Sequence, residues 1–269
     1  MTEYEGNPHE QSLTSAAGFV KYIIDAKKIT VPEIPPICLI TYSDPLLKRA
    51  RESFDYRMID IGSRKPTEIY FFKPTQGNAF AIVSPQYGAP MAACVLEELI
   101  ALGFRNFVSL GTAGHPTDKI TPELAVGDLV VIEDALRYES TSDHYLPKGE
   151  IPKSDKDLTE KLRGILAEKG HKFINGRVAT IDAIYREPPS LLVHAMSNGA
   201  IALDMETSAL FAVALHHGIP LATLLYISDI LKLKKNIGDE WHLEFLGGSL
   251  EKAEDNAFAA AVELANRVK

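Results

Sequence analysis

Two carboxylates, Asp204 and Glu206, flank Met205 in the segment IALDMETSALFAVA, where the other residues are apolar or small. Burying an ionised carboxylate without a partner is costly, so these acids need groups to hold. Carboxylates that grip sugar hydroxyls and an apolar wall under the ring suit cleavage of a glycosidic bond. The alternative is that Asp204 only ends a strand and Glu206 caps the helix that starts at Thr207, because acids favour helix N-termini.

A second candidate segment is SLGTAGHP, in which Gly111 and Gly114 bracket Thr112 and Ala113 after an apolar strand. Glycines there let backbone N–H groups approach an anion or a sugar, and the threonine hydroxyl adds a donor. The same tetrapeptide also fits an ordinary tight turn. It is neither a dinucleotide fingerprint nor a Walker loop, because the required glycine spacing and the Gly-Lys-Ser/Thr sequence are absent.

Composition bounds the class of protein. The chain has 269 residues, 46% of them hydrophobic, and a net charge of −8, which argues against nucleic acid as a partner. Its two cysteines, Cys38 and Cys94, are too few for a disulfide framework or a zinc site and are predicted to be buried free thiols. No run of eighteen apolar residues and no apolar leader segment occur, so we expect a cytoplasmic protein with no membrane partner.

Short β-rich runs alternate with helical patterns, which predicts one α/β domain with a central, largely parallel or mixed sheet flanked by helices. Irregular structure is expected over residues 1–35, 138–155 and 232–247. Helices are predicted over residues 90–103, over 154–170 with a serine cap, and from 248 to the end. The predicted strands are residues 37–42, 68–72, 79–84, 106–110, 128–134, 177–181 and 221–228.

The order and spacing of these segments resemble the nucleoside phosphorylase family, which includes uridine phosphorylases, hexameric purine nucleoside phosphorylases and related nucleosidases. The other segments that carry the resemblance are YGAPMAACVLEELIALG, AVGDLVV, RVATIDAIYRE and LLYISD. The resemblance implies a phosphorylase/hydrolase-like catalytic domain over residues 37–269 after an N-terminal extension, residues 1–36. It also implies cleavage of a nucleoside by inorganic phosphate into free base and ribose 1-phosphate, with no cofactor and no metal. Homodimers that build into trimers or hexamers are implied as well.

The resemblance gives the ribose site to Glu206, which accepts hydrogen bonds from the 2′- and 3′-hydroxyls, and to Met205, which packs against the sugar. Asp204 stands where the family usually carries glutamate, and Thr112 completes the grip. His9 resembles the N-terminal histidine that reaches across the dimer to the 5′-hydroxyl. These assignments answer the question that the two acids raise.

For the base site, the resemblance places Asp229 beside purine N7 as the catalytic proton donor. Ile184, Tyr185 and Arg186 belong to the loop that bounds the base, with isoleucine in place of the usual phenylalanine, and Gly114 lies opposite. The Gln and Arg of uridine-specific relatives are replaced by two prolines and a serine. This favours purine nucleosides slightly over uridine. A Ser-Asp pair that merely caps a turn is the alternative interpretation of Asp229.

The phosphate site departs most from the family pattern. Leu47 and Ser109 occupy the positions of two arginines, so two guanidinium groups that would clamp phosphate are missing. The expected ligands are then Ser43, Ser109, Gly111 and Thr112. The cations that can compensate are Lys48 or Arg49, just beyond Leu47, and Arg64 from a neighbouring subunit. A solvated basic surface is the alternative for all three.

Three functions remain open on the sequence: a phosphorylase, a nucleosidase that uses water, and a nucleoside-binding protein without turnover. His144 lies on a polar loop and either lines the site or caps a turn. His216 and His217 are predicted to mark the solvated end of a buried helix. Adjacent histidines point to different faces of a helix, so no metal pair follows.

Overall fold

The computed structural model describes residues 10, 12–118, 123–233 and 241–268. Within them the helices are α1 (Ala16–Lys27), α2 (Asp44–Ser53), α3 (Ala89–Leu102), α4 (Lys156–Glu168), α5 (Pro189–Ser197), α6 (Thr207–His217) and α7 (Gly248–Ala265). The strands are β1 (Cys38–Thr41), β2 (Asp55–Asp60), β3 (Glu68–Lys73), β4 (Phe80–Val83), β5 (Phe107–Thr117), β6 (Leu129–Tyr138), β7 (Phe173–Ile181), β8 (Ala200–Asp204), β9 (Leu221–Lys232) and β10 (Trp241–Leu243).

All of these strands belong to one mixed sheet, in the order β10-β9-β6-β7-β8-β5-β1-β4-β3-β2. An additional parallel pairing joins β9 to β5 over the whole length of β5. Strands β5, β9, β6, β7 and β8 therefore close into a ring, while β1, β4, β3 and β2 extend from it as an open sheet. Closure satisfies the backbone hydrogen bonds of strands that lie in the centre of the molecule.

Helices cover both faces of the sheet, as the apolar strands predict. One core contains Ile40, Leu99 and Phe211 and is covered by α1, α3 and α6; the other contains Leu39, Leu162 and Leu264 and is covered by α4 and α7. The α/β fold with a central mixed sheet is thus confirmed. The N-terminal part of the chain is more ordered than predicted, because α1 packs on α3 within the segment expected to be irregular.

Helix ends follow the local sequence. Gly103 adopts φ +112° after α3, a left-handed conformation that glycine adopts without steric cost, and so stops that helix where predicted. The cap of α4 is Asp155, whose Oδ1 accepts from the Leu158 N–H at 2.8 Å, so the prediction of a cap at Ser154 was wrong. The C-terminal helix ends at Ala265, earlier than expected.

Other predictions need correction. Strand β2 and the short β10 were missed, because β2 is mostly exposed and β10 is only three residues long. Strand β8 was anticipated only in the alternative that Asp204 ends a strand. Cys38 is buried, but Cys94 is exposed on α3, so the prediction that both thiols are buried was wrong for Cys94. Its position in an apolar sequence does not fix which face of the helix it occupies. In the described part of the chain no helix is both long and apolar enough to cross a membrane.

The Gly111–Gly114 segment is not a turn but part of β5, which continues to Thr117 in register with β9. The register shifts between Ala113 and Gly114, where Ser228 of β9 is left out of the pairing. Gly114 packs closely against β9, because a Cβ there would lie 2.9 Å from Leu231 Cδ1 and 3.1 Å from Asp229 Oδ2, so a larger residue would displace these side chains. Such irregularities re-aim side chains within a sheet.

Candidate active site

A cavity of about 970 Å³ lies beside the middle of β5, the second half of β9 and the end of β8, and is bordered by the first turns of α2 and α7. It brings together segments that are far apart in the sequence. Most of the predicted site residues line it: Ser43, Arg49, Ser109, Gly111, Thr112, Gly114, Ile184, Tyr185, Asp204, Met205, Glu206 and Asp229.

Asp204 is fixed by hydrogen bonds at both carboxylate oxygens. Its Oδ1 accepts from Thr180 Oγ1 at 2.7 Å, and its Oδ2 accepts from the backbone N–H of Thr207 at 2.9 Å and from the Thr207 hydroxyl. Asp204, rather than Glu206, therefore caps the first turn of α6. The shorter side chain of aspartate suits this local role at the end of β8.

Glu206 makes no capping bond to α6, although it immediately precedes that helix. Its Oε1 instead accepts from the backbone N–H of Gly88 at 2.6 Å, just before the start of α3. Gly88 adopts φ +100°, a conformation that favours glycine. Burial, and then the neighbouring charge of Asp204, raise the pKa of Glu206 to about 8. The interpretation of Glu206 as a helix cap is therefore wrong.

A buried network of hydrogen bonds holds the segment that carries Asp204 and Glu206. The Thr180 hydroxyl, which donates to Asp204, accepts from the Ser208 N–H at 2.9 Å. The Ser208 hydroxyl in turn donates to Glu139 Oε1 at 2.8 Å, and Glu139 Oε2 accepts from the Ser142 N–H at 3.0 Å. This network fixes the β8–α6 junction, so that Met205 and Glu206 are presented to the cavity in one conformation.

Tyr42 was missed by the sequence analysis. Its ring lines the cavity beside Gly111, at 3.6 Å from where a Cβ of that residue would stand, and lies 6.2 Å from the ring of Tyr87. Its hydroxyl is buried and has no hydrogen-bond partner among the described residues. Burial, followed by the charges of Glu206 and Asp204, raises the pKa of Tyr42 well above its usual value, so the hydroxyl is a donor. An aromatic next to Ser43 was the available signal.

Asp229 occupies the other side of the cavity and is 6% exposed. Its Oδ1 accepts from the Ser228 hydroxyl at 2.7 Å, and its Oδ2 accepts from the Trp241 indole N–H at 2.6 Å. Strand β9 continues past Asp229 to Lys232 and pairs with β10, so the prediction that the strand ends at Asp229 was wrong. Trp241, in a segment expected to be irregular, had no sequence signal beyond being the one tryptophan.

Glu187 is a second carboxyl on this side of the cavity and was also missed. It is half-buried and follows Arg186 in the loop between β7 and α5. Burial, and then the charge of Asp229, raise the pKa of Glu187 to about 7. Two acids thus face the part of the cavity that the sequence analysis assigned to the base.

The predicted phosphate side contains one cation, Arg49, among the described cavity residues. Its guanidinium bonds to Glu254, and its Nε lies 2.9 Å from Asp255 Oδ1. Glu254 also accepts from the Tyr226 hydroxyl at 2.9 Å. The positive charge that would attract phosphate is therefore already engaged by two carboxylates of α7. Leu47 packs against the core instead of facing the cavity.

Several predicted residues lie elsewhere. Arg186 is exposed and does not line the cavity, because the chain turns between Ile184 and Glu187. Arg64 is exposed between β2 and β3, away from the cavity of its own chain. Lys48 pairs with Glu52 on the surface at 3.9 Å, which is the predicted alternative. His9 lies outside the described residues.

The remaining histidines take no part in the cavity. His144 is exposed in a short 3₁₀ turn, and His216 and His217 are exposed at the end of α6, as predicted. His217 Nε2 lies 2.9 Å from Glu97 Oε1. Within the described residues, no group of three or more His, Cys, Asp or Glu side chains is placed to hold a metal ion.

Comparison with known proteins adds the family. The family model described as "Phosphorylase superfamily" matches residues 36–266. A guanosine phosphorylase from Halorubrum lacusprofundi is 27% identical over 180 residues, which are 67% of this chain and 71% of that protein. A purine nucleoside phosphorylase of the DeoD type from Bacillus cereus is 27% identical over 156 residues; the match spans 57% of this chain and 65% of the relative, just under two thirds.

Solved structures agree in fold. The uridine phosphorylase of Vibrio fischeri ES114 aligns with a TM-score of 0.72 and 22% identity, over 87% of this chain and 93% of that one. The purine nucleoside phosphorylase of Toxoplasma gondii, in complex with immucillin-H, aligns with a TM-score of 0.75 and 19% identity, over 87% and 92%. The family model confirms the resemblance predicted from the sequence, and the chain belongs to the phosphorylase superfamily.

Proposed function

We propose that this protein cleaves the N-glycosidic bond of a purine nucleoside with inorganic phosphate, giving the free base and ribose 1-phosphate. The observation that carries the proposal is the presence of two anchored carboxyl groups, Glu206 and Asp229, in one cavity. Glu206 is held by Gly88, and Asp229 is held by Ser228 and Trp241. The hydroxyls of Ser109 and Thr112 lie on β5, in the same cavity.

Glu206 accepts hydrogen bonds from the ribose 2′- and 3′-hydroxyls, and Met205 packs against the sugar. As the C1′–N9 bond breaks, the sugar gains oxocarbenium character, and an adjacent carboxylate stabilises that positive charge. The bonding electron pair leaves with the base, which takes up a proton on the side of Asp229. Phosphate forms the new C1′–O bond. Asp204 keeps Glu206 in place through the β8–α6 junction and reaches the substrate only indirectly.

A purine is favoured over uracil by the base side of the cavity. A purine has a ring nitrogen, N7, that can accept a proton as the base leaves, and Asp229 and Glu187 both lie on that side. Apolar contact comes from Ile184, with Tyr185 at the mouth. The Halorubrum and Bacillus relatives are named as phosphorylases of guanosine and of purine nucleosides.

Hydrolysis is the second candidate, and one specific observation favours it. Arg49 is already paired with Glu254 and Asp255, so an incoming phosphate must compete with two carboxylates for the same guanidinium. Water needs no such cation. In the phosphorolytic proposal, Arg64 of a neighbouring subunit supplies the missing charge, and His9 reaches the ribose across the same interface. The protein then acts as a homodimer, or as a trimer or hexamer built from homodimers.

The test is to incubate the purified protein with inosine, adenosine, guanosine and uridine, with and without phosphate, and to identify the sugar product. The proposal expects ribose 1-phosphate that forms only with phosphate, and faster from purine nucleosides. Free ribose at equal rates with and without phosphate identifies the hydrolytic candidate. Binding of nucleoside without either product identifies a protein that has lost turnover.

A further inference from the structure

The base side of the cavity contains two acids, Asp229 and Glu187, although a single proton donor would be enough for the reaction. Asp229 accepts hydrogen bonds at both oxygens, from Ser228 and from Trp241. Donors on both oxygens suit the carboxylate form, because an acceptor-only group satisfies them best. Asp229 is thereby occupied as an acceptor on both sides of its carboxyl group.

Glu187 has the opposite surroundings. It is half-buried in the same cavity, and within the described residues no group donates a hydrogen bond to it. The charge that acts on it is that of Asp229 on β9. Its sequence neighbour Arg186 is exposed. Two carboxyls that share a site do not both ionise easily, so one of the two retains a proton.

The other titratable groups near this loop face elsewhere. Asp182, at the end of β7, is influenced by Glu139. His194 of α5 packs edge-on against Tyr138, with 5.9 Å between ring centres. Within the described residues, the pair formed by Glu187 and Asp229 is therefore the local unit that holds or loses a proton. Burial and the charge of Asp229 place the pKa of Glu187 at about 7.

We propose that Glu187, and not Asp229, is the catalytic acid: its protonated carboxyl donates to the departing base, while Asp229 remains the fixed carboxylate that keeps that proton on Glu187. This inference deepens the proposed function and rests on it. In the step, the C1′–N9 bond breaks with its electron pair on the base. The Glu187 O–H bond breaks and an N–H bond forms on the base, which leaves neutral. Glu187 becomes a carboxylate and regains a proton from solvent after the products leave.

The protein contains its own reporter. Trp241 is the one tryptophan in the 269 residues, and its indole bonds directly to Asp229. Because indole emission responds to charge and hydrogen bonding at an adjoining carboxylate, its fluorescence should follow the protonation of the pair. A titration of the substrate-free protein is expected to show a transition near pH 7, at about the pKa of Glu187. The transition should be absent in Glu187→Gln.

Glu98→Gln is a matched control. Glu98 is also partly buried, and burial raises its pKa to about 7, but it lies on α3 outside the cavity. That variant should keep the fluorescence transition and the activity profile. Glu187→Asp, which keeps a carboxyl, should retain a transition and recover part of the activity. Partial recovery of activity in Glu187→Asp would show that Glu187→Gln loses activity because it lacks the carboxyl group, and not because it fails to fold.

With nucleoside and saturating phosphate, the wild-type kcat is expected to fall as the pH rises through about 7, because Glu187 loses its proton. Glu187→Gln should lower kcat by about tenfold to hundredfold below that pH and remove this alkaline limb. The KM for phosphate should stay unchanged. A transition and a pH profile that persist in Glu187→Gln overturn the proposal. If no nucleoside is cleaved by any variant while the fluorescence change still depends on Glu187, the proposed function and the catalytic role fail, and the proton pairing stands.

Discussion

The backbone N–H of Gly88 donates a 2.6 Å hydrogen bond to Glu206 Oε1 and so joins the start of α3 to the start of α6. Glu206 is separated from Gly88 by 118 positions in the sequence. The carboxyl group of Glu206 is thus bonded to Gly88 and not to its own helix, and it lines the cavity. Asp204 performs the capping that Glu206 gives up. This division of roles frees Glu206 to act on the sugar.

Glu206→Gln should impair catalysis far more than folding. The variant keeps the size of the side chain but cannot lose a proton to form the carboxylate that holds the ribose diol and stabilises the developing cation. In the substrate-free protein Glu206 retains that proton up to about pH 8. We expect a loss of about 2 to 4 kcal/mol in kcat/KM, measured with the best purine nucleoside. Far-ultraviolet circular dichroism should be unchanged. Wild-type turnover in this variant would contradict the assignment of the ribose site.

The same substitution should change how stability depends on pH. The pKa of Glu206 is raised from 4.5 to about 8 in the folded protein, so unfolding releases a proton between those values. Stability from this group is therefore fully present below about pH 4.5 and is lost as the pH rises towards 8. Because a tenfold difference in proton affinity corresponds to about 1.4 kcal/mol, the contribution of Glu206 is a few kcal/mol.

Thermal melts across this window should show the difference between wild type and Glu206→Gln. Glu98 and Glu187 also have pKa values raised to about 7, and they change stability with pH in the same direction in both proteins. Their contributions therefore cancel when the wild type is compared with the variant. We expect the variant to melt higher than wild type at alkaline pH and to differ less at acidic pH. A constant offset between the two melting curves at every pH would show that Glu206 titrates normally.

Arg49 and Glu254 test the anion site. Arg49→Met should raise the KM for phosphate by about tenfold to a hundredfold, the cost of one charge-assisted contact. Glu254→Gln should lower it, because the guanidinium loses a competing carboxylate while Tyr226 keeps an acceptor. Lys48→Met, which removes a surface charge one residue away, is the control and should leave the KM unchanged. If all three variants match wild type, phosphate does not use Arg49.

Tyr42→Phe should separate function from stability. Its buried hydroxyl has no partner among the described residues, and an unmet buried donor costs about 1 to 3 kcal/mol. Removing it should leave the free energy of unfolding unchanged or raise it slightly. Catalysis should nevertheless fall, because Tyr42 lines the cavity and its unpartnered hydroxyl can donate to a bound substrate or phosphate. A variant that loses stability and keeps full activity would give Tyr42 a purely structural role.

Whether a feature of the fold or the site could be predicted from the sequence depends on whether that feature is local. Asp204, Met205 and Glu206 are consecutive, so their presentation at a strand–helix junction was predictable from one segment. The Gly88 bond to Glu206 and the Trp241 bond to Asp229 depend on the closed ring of strands, which no local pattern encodes. Arg49 meets Glu254 across 205 positions. Its charge could be recognised from the sequence, but its partner could not.

The same limit explains the glycine segment. Gly111 and Gly114 suggested a turn, but parallel pairing with β9 along the whole of β5 outweighs the local preference of glycine for loops. Gly114 is needed for space beside Asp229 and Leu231, not for a positive φ. The two glycines therefore correctly marked positions with an unusual requirement. Whether that requirement was a turn or close packing was decided by tertiary structure and could not be predicted from the residue type.

In the proposed reaction the ribosyl group is transferred to phosphate and not to water. This is tested by phosphorus and proton NMR of the products formed from a purine nucleoside at rising phosphate concentration, with a phosphate-free sample alongside. We expect ribose 1-phosphate in equal amount to the free base, a rate that rises with phosphate, and no base released without it. Free ribose formed at a rate independent of phosphate would show that water is the acceptor and that the proposed reaction is wrong.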